Sequence, residues 1–190
     1  MGKARYIGCS NLAAWQIMKA LGLSEIHNWA RFDSLQAYYT IAGRDLEREI
    51  VPLLADQGLG LMVWSPLAGG LLSGKFSKDG TGPEGTRRAS FDFPPVDKDR
   101  AFRIVDVMRE IAARKGMSVP RVALAWLLSH GFVTTVIVGA KTPEQLDDNL
   151  GASEVTLDEA ELLLLNETSA LAPEYPGWMI ERQSTERTPR

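Results

Sequence analysis

The amino-acid sequence predicts an α/β fold of parallel strands joined by helical crossovers. Four apolar runs of strand length, at residues 5–9, 32–36, 60–64 and 134–138, recur along the chain. Each is followed by a stretch whose apolar residues fall at helical spacing. Strands alternating with helices imply parallel pairing through right-handed crossovers. The count is four βα units, with extra helical material after the third and fourth, and no internal repeat or low-complexity segment competes with it.

The first run leads into residues 13–21, where Trp15, Met18 and Leu21 share a helical face. The second leads into residues 45–57, with Leu46, Ile50, Leu53 and Leu54 at helical spacing. After the third run comes a Gly-rich turn, a long loop to Pro95, and a helix over 97–115 striped by Phe102, Val105, Met108, Ile111 and Ala112. Residues 118–130 form another helix, with Ser118 as N-cap and Pro120 in the first turn. The fourth run leads to Thr142-Pro143-Glu144-Gln145, a capping box with proline at the first helical position. A last helix over 157–169 is expected to open on Thr156. Residues 1–172 therefore read as one domain. Residues 173–190, rich in Pro, Arg and Glu, read as a loosely ordered tail.

A chain of 190 residues, 45% hydrophobic and carrying a net charge of −3, is long enough for one domain with a real core. Mild acidity argues against a nucleic-acid partner, which favours a basic stripe. The single cysteine, Cys9, excludes an internal disulfide framework and fits a reducing cytosol. No apolar run reaches membrane-spanning length, and Met1-Gly2-Lys3-Ala4-Arg5 lacks the apolar stretch of a signal peptide. The expectation is a soluble, cytoplasmic protein with no membrane partner.

The sharpest local motif is a decoy. Gly69-Gly70-Leu71-Leu72-Ser73-Gly74-Lys75-Phe76 matches the phosphate-loop pattern, but Phe76 stands where Ser or Thr should hold magnesium, and no helix follows at once. Backbone N–H groups in a glycine turn beside a lysine still suit a diphosphate, whereas the plain alternative is a flexible turn. The G-x-G-x-x-G of doubly wound dinucleotide folds is absent. Polar and aromatic groups stand at three strand ends: Ser10-Asn11, Gln36 and Trp64-Ser65-Pro66. Ligands bind at the carboxyl ends of parallel strands, where amides and hydroxyls suit a carboxamide and an indole suits a planar ring. Singly, each is better read as a cap or a core residue. Gly139-Ala140-Lys141-Thr142 opens the capped helix as an anion site, although as a bare motif an ordinary capped helix is the better reading.

In these segments the chain resembles the aldo-keto reductases, in the branch that includes potassium-channel β-subunits and bacterial relatives. The resembling stretches are RYIGCSN (5–11), SLQAYY (34–39), LMVWSPLAGGLLSGK (61–75), RRAS (87–90) and VIVGAKTPEQLDDNLGA (136–152), in the family's order. The resemblance implies the C-terminal half, strands 5–8, of a (β/α)8 TIM barrel that binds NADP(H) in extended form to reduce an aldehyde or ketone. It implies that Ser10, Asn11 and Gln36 bond the nicotinamide carboxamide, and that Trp64 stacks on its ring. Ser65, Pro66, Leu67, Gly69 and Lys75 would line the diphosphate, with Arg88 beyond it. Gly139, Lys141 and Gln145 would hold the 2′-phosphate region, while Asp148 and Asn149 meet the adenine. Lys141 would favour NADPH over NADH by pairing with the extra phosphate.

The chain departs from the family in its chemistry. The family's Asp-Tyr-Lys-His set comes from the first half of the barrel, and this chain begins at what would be the fifth strand. His27, expected in an interhelical loop, and His130, at a helix end, read as surface or capping residues. Tyr38 and Tyr39 lie near a substrate mouth without the family's lysine and aspartate context. Cys9 reads as a small residue buried in the first strand. The isolated chain is expected to be inactive, with a non-catalytic NADP(H)- or partner-binding module as the alternative. Four units leave two unpaired strand edges and expose apolar inner layers. The outcomes are pairing of two copies, an open sandwich, or complementation by an N-terminal half, and self-association is the expected one.

Overall fold

A computed structural model of the chain describes residues 2–78, 82, 88 and 91–187, with side chains to residue 184. Arg87, Ala89 and Ser90 of the RRAS segment, residues 79–81 and 83–86 of the long loop, and the end of the tail lie outside the described residues. Four strands, β1 (Gly8–Ser10), β2 (Ser34–Tyr38), β3 (Gly60–Trp64) and β4 (Val133–Val136), form one sheet in the order β1-β2-β3-β4. Every pair is parallel. Sequential order with crossovers of one hand winds the helices onto a single face, as in an arc of a (β/α) barrel, whereas a doubly wound fold reverses its strand order.

Period-two alternation shows which face that is. Leu35 and Ala37 of β2 and Leu61 and Val63 of β3 are buried, while Ser34, Gln36, Tyr38, Gly60, Met62 and Trp64 on the opposite face are only half-buried. The open face is therefore a mixture of polar, small and aromatic groups. Of the large apolar side chains of these two strands, Leu35, Leu61 and Val63 lie in the core, while Met62, Tyr38 and Trp64 stand on the open face.

The helices are α1 (Ala14–His27), α2 (Leu46–Gln57), α3 (Lys98–Lys115), α4 (Val119–Leu128), α5 (Pro143–Leu150), α6 (Glu159–Thr168) and α7 (Gly177–Arg187). Short 3-10 turns lie at Ala68–Ser73 and Gly151–Glu154. Asp97, Ser118 and Thr142 cap α3, α4 and α5 through their side-chain oxygens. At α6 the cap is Asp158 rather than Thr156. Asp158 accepts from the Glu161 N–H at 2.9 Å while Glu161 accepts from the Asp158 N–H at 3.0 Å, a reciprocal box two residues later than the Thr156–Glu159 pair.

Helix α1 runs past the expected end at Leu21. It tolerates Gly22 at a cost of about 1 kcal/mol and stops where Asn28 turns left-handed at φ 53. His27 is thus the last helical residue, stacked on Trp29 at 4.6 Å. The tail also carries a helix, α7, tethered by Arg48, which bonds the Ala172 carbonyl at 3.3 Å and Glu174 at 3.0 Å. Neither an apolar stripe nor a cap signals α7 in the sequence.

One polar clasp joins the start of α2 to the end of α6. The Arg44 guanidinium forks onto Glu47 at 2.7 and 2.9 Å and donates to the Asn166 carbonyl and the Ser169 hydroxyl at 3.1 and 2.7 Å. It also lies over the buried Trp126 ring at 5.3 Å, and Trp126 Nε1 donates to Asn166 at 3.0 Å. Tyr39, fully buried, donates to Glu47 at 2.6 Å. His130 is no plain surface residue. It packs edge-on against Trp126 and Phe132, its Nδ1 lies 2.7 Å from the Trp126 carbonyl, and burial holds its pKa below the ordinary value.

Burial alone raises the Glu47 pKa, but hydrogen bonds from Arg44 and Tyr39 outweigh it and leave the carboxyl below its ordinary 4.5. A depressed pKa means stability present above 4.5 and lost as pH falls through the folded value. Arg44→Ala is expected to destabilise the fold by about 2–3 kcal/mol, since it strands the Glu47 carboxylate. Urea denaturation checks this, and the parent's advantage over the variant should shrink as pH drops below 4.5.

Candidate functional site

The carboxyl ends of β1, β2 and β3 meet at one corner of the sheet. Ser10 pairs in register with Gln36, and Tyr38 with Trp64. The Ser10 hydroxyl and the Asn11 N–H both donate to the Gln36 carbonyl, at 3.0 and 3.1 Å. Asn11 Oδ1 accepts from Trp64 Nε1 at 2.9 Å. Ser10, Asn11, Gln36 and Trp64, drawn from three strand ends, are thus joined in one group. Asn11, Ser65 and Ala68 hold positive φ of 54, 51 and 49, unusual for residues with a Cβ. Such strained backbone concentrates at ligand sites, and here it sits at the ends of β1 and β3.

Beyond β3 the chain turns sharply. Ser65 Oγ accepts from the Gly69 N–H at 3.1 Å, and Gly69 and Gly70 take positive φ of 64 and 98. A cavity of about 470 Å³ opens here, lined by Trp64, Ser65, Pro66, Leu67, Gly69, Gly70, Phe93, Ile137, Val138, Gly139 and Asn149. That size is in the range of small-molecule and cofactor pockets. Residues from the ends of β3 and β4 therefore reach one space although about 70 positions separate them in the chain.

The remaining expected residues stand outside the cavity lining. Lys75 and Lys141 are exposed. The Gln145 side chain accepts from the Lys141 N–H at 2.9 Å, so it shapes the turn into α5. Asp148 accepts from the Ser118 hydroxyl and pairs with Arg121 at 3.3 Å, which binds α5 to α4. Arg88 is buried. It donates to the Ala68 carbonyl, to the Pro94 carbonyl at 3.1 Å, and to Asp92 at 2.8 Å.

Phe93, Ile137 and Val138 are lining residues that sequence reasoning did not select. Phe93 stacks on the Trp64 indole with centroids 6.0 Å apart and planes 11° apart, and Phe91 stacks behind it at 5.4 Å. The aromatic run Phe91-Asp92-Phe93 inside a loop was the available signal. Tyr38 tilts against Trp64 at 5.2 Å. Its hydroxyl is buried without a well-formed hydrogen bond. Burial pushes the phenol pKa up, and the Thr40 hydroxyl, Arg88 and Arg100 only partly offset this. Cys9 is partly exposed on the edge strand, its thiol pKa raised by burial, so it is a poor nucleophile. Among the described residues no group of His, Cys, Asp and Glu could hold a metal ion. No helix there is long and apolar enough to cross a membrane.

The family model for the aldo/keto reductases matches residues 1–170. The chain belongs to the aldo/keto reductase family. It is 37% identical over 168 residues to an uncharacterized oxidoreductase of Bacillus subtilis, covering 87% of this chain and 49% of that protein. It is 34% identical over 177 residues to versiconal hemiacetal acetate reductase of Aspergillus parasiticus, covering 93% and 51%. With the NADH-specific methylglyoxal reductase of Escherichia coli it shares 32% over 169 residues, covering 87% and 49%. The chain spans about half the length of these curated relatives.

Gly69 is the tightest point of the site. A Cβ there would fall 2.4 Å from the Phe93 carbonyl oxygen, and the φ of 64 disfavours any L side chain. Gly69→Ala is expected to cost about 1–3 kcal/mol, read by chemical denaturation, or to release the Phe93 loop, read by faster amide exchange at Phe93.

Proposed function

We propose that this chain is the cofactor-holding half of an NADP(H)-dependent carbonyl reductase, the strand 5–8 part of a (β/α)8 barrel, acting in the cytoplasm. The observation that carries it is the corner where Ser10, Asn11, Gln36 and Trp64 join beside a cavity lined by Ser65, Leu67, Gly69, Gly139 and Asn149. The residues fit a nicotinamide nucleotide. The hydroxyl and amides at the strand ends suit a carboxamide, the indole suits a planar ring, and the glycine turn admits a backbone-lined diphosphate. When bound, the cofactor would supply the hydride for reduction of a carbonyl. Ser10, Asn11 and Gln36 would orient the ring, Trp64 would carry it, and Ser65, Pro66, Leu67 and Gly69 would pass the diphosphate toward Gly139.

The exposed Lys141 ammonium, near the N-terminus of α5, favours the extra phosphate of NADPH. The name of the E. coli relative supplies the competing reading, an NADH site. Lys75, Arg88, Gln145, Asp148 and Asn149 complete the proposed contact set. Arg88 and Asp148 would first have to exchange their present partners. In this reading residues 1–172 are the half-barrel unit and the tail is peripheral.

In this reading the chain does not supply the family's Asp-Tyr-Lys-His set, and by itself it holds cofactor without turnover. The alternative function is a binding module that never catalyses. In both cases β1 and β4 have open edges among the described residues, and Tyr6, Trp15, Ile26 and Trp29 are all more than 60% exposed. We propose that a second copy, or an N-terminal half, covers them.

Trp64→Ala is expected to weaken NADPH binding, and Lys141→Ala to erode the preference for NADPH over NADH, both by fluorescence titration. If both variants bind like the parent, the site assignment fails. The pure chain should not oxidise NADPH with an aromatic aldehyde, and steady turnover would refute the proposed division of labour. Light scattering should find an oligomer at micromolar concentration, and a well-folded monomer would refute self-association.

A further inference from the structure

Two residues assigned above to the cofactor are engaged by one short strap. Trp64 presents its indole to Phe93, and Arg88 bonds the Pro94 carbonyl and pairs with Asp92 at 2.8 Å. Asp92 also pairs with Lys98 at the start of α3, at 2.7 Å. The Phe93 carbonyl oxygen sits so close to Gly69 that only glycine leaves it room. The strap formed by residues 91–94 is therefore laid across the turn after β3, with its ring on the platform and its anchor on a buried arginine.

We propose that Phe93 is a built-in competitor for the Trp64 platform, so that the strap and the ring of a nicotinamide nucleotide hold this site in turn. The inference rests on the cofactor reading above. Phe93 and Phe91 remain 40% and 54% exposed, so the stack buries little and a ligand ring can displace it. Two of the strap's attachments are of the kinds a dinucleotide brings: an aromatic face for Trp64 and an anion for Arg88. Replacing the Asp92 carboxylate at Arg88 by a diphosphate, and the Phe93 ring at Trp64 by a nicotinamide, exchanges like for like. Both exchanges made by one ligand loosen the strap's hold on the platform together, while a ligand lacking either part leaves one of the two in place. Apparent affinity falls by the fraction of molecules in which the platform is open.

The experiment is calorimetric titration of the full chain and its Phe93→Ala, Phe93→Leu and Trp64→Ala variants. The titrants are NADPH, NADH and adenosine 2′,5′-bisphosphate, which lacks the nicotinamide ring. An aromatic stack of ordinary strength predicts that Phe93→Ala binds NADPH about 3- to 10-fold more tightly than the parent. Phe93→Leu should move the same way, and the bisphosphate should bind all three alike. Unchanged or weaker NADPH binding by both Phe93 variants, with Trp64→Ala still impaired, overturns the competition and leaves the cofactor site standing. Equal tightening toward the bisphosphate also overturns it, since general loosening of the loop would then be the cause. If neither dinucleotide binds any of the proteins, the cofactor reading itself fails and the competition with it.

Discussion

Alternation along β2 and β3 governs the molecule. Leu35, Ala37, Leu61 and Val63 lie under the helices, and once those four are buried every second residue must face the other way. A slip of one residue would bury Gln36, Tyr38, Met62 and Trp64 and expose the aliphatic set, so the register is strongly defended. Sequential parallel order then places all crossovers on the aliphatic face. The open face is left to the residues that form the candidate site, and their gathering follows from how the core is packed.

The two faces are stabilised by different means. On the helix side, Arg44, Glu47, Tyr39, Trp126 and Asn166 satisfy one another almost completely and fasten elements more than a hundred residues apart in the chain. Buried polar groups matched in this way resist rearrangement, because removing one partner leaves another unpaired. On the open side the contacts are looser. Phe93 on Trp64 joins partly exposed rings, the buried Arg88 is paired with a half-exposed Asp92, and the left-handed turns of Asn11, Ser65, Ala68 and Gly69 hold backbone in sparsely populated conformations. A rigid scaffold carrying an exchangeable surface suits a site that admits a large ligand.

The chain's share of its relatives bears on how this surface is used. Residues matching the aldo/keto reductase family span nearly the whole chain but about half of each relative. β1 and β4 are the outer strands of the described sheet, and Trp15 and Ile26 of α1 are exposed. The site lies at the carboxyl ends of all four strands, the outer strands β1 and β4 included.

By itself the sequence determined the α/β class, the four strand–helix units, the caps at Ser118 and Thr142, and the family through its spaced motifs. These features are local: a period, a capping side chain or a short motif is written in neighbouring residues. It also named Trp64, Ser65, Leu67, Gly69, Gly139 and Asn149, which line one cavity. Only the tertiary structure decided that Asp158 caps α6, that α1 continues through Gly22, that Arg88 and Asp148 are held by Asp92 and Arg121, and that Phe93 lies on Trp64. Each of those outcomes is a competition between partners distant in sequence or nearly equal in local preference, and such a competition is settled by which groups packing brings within reach.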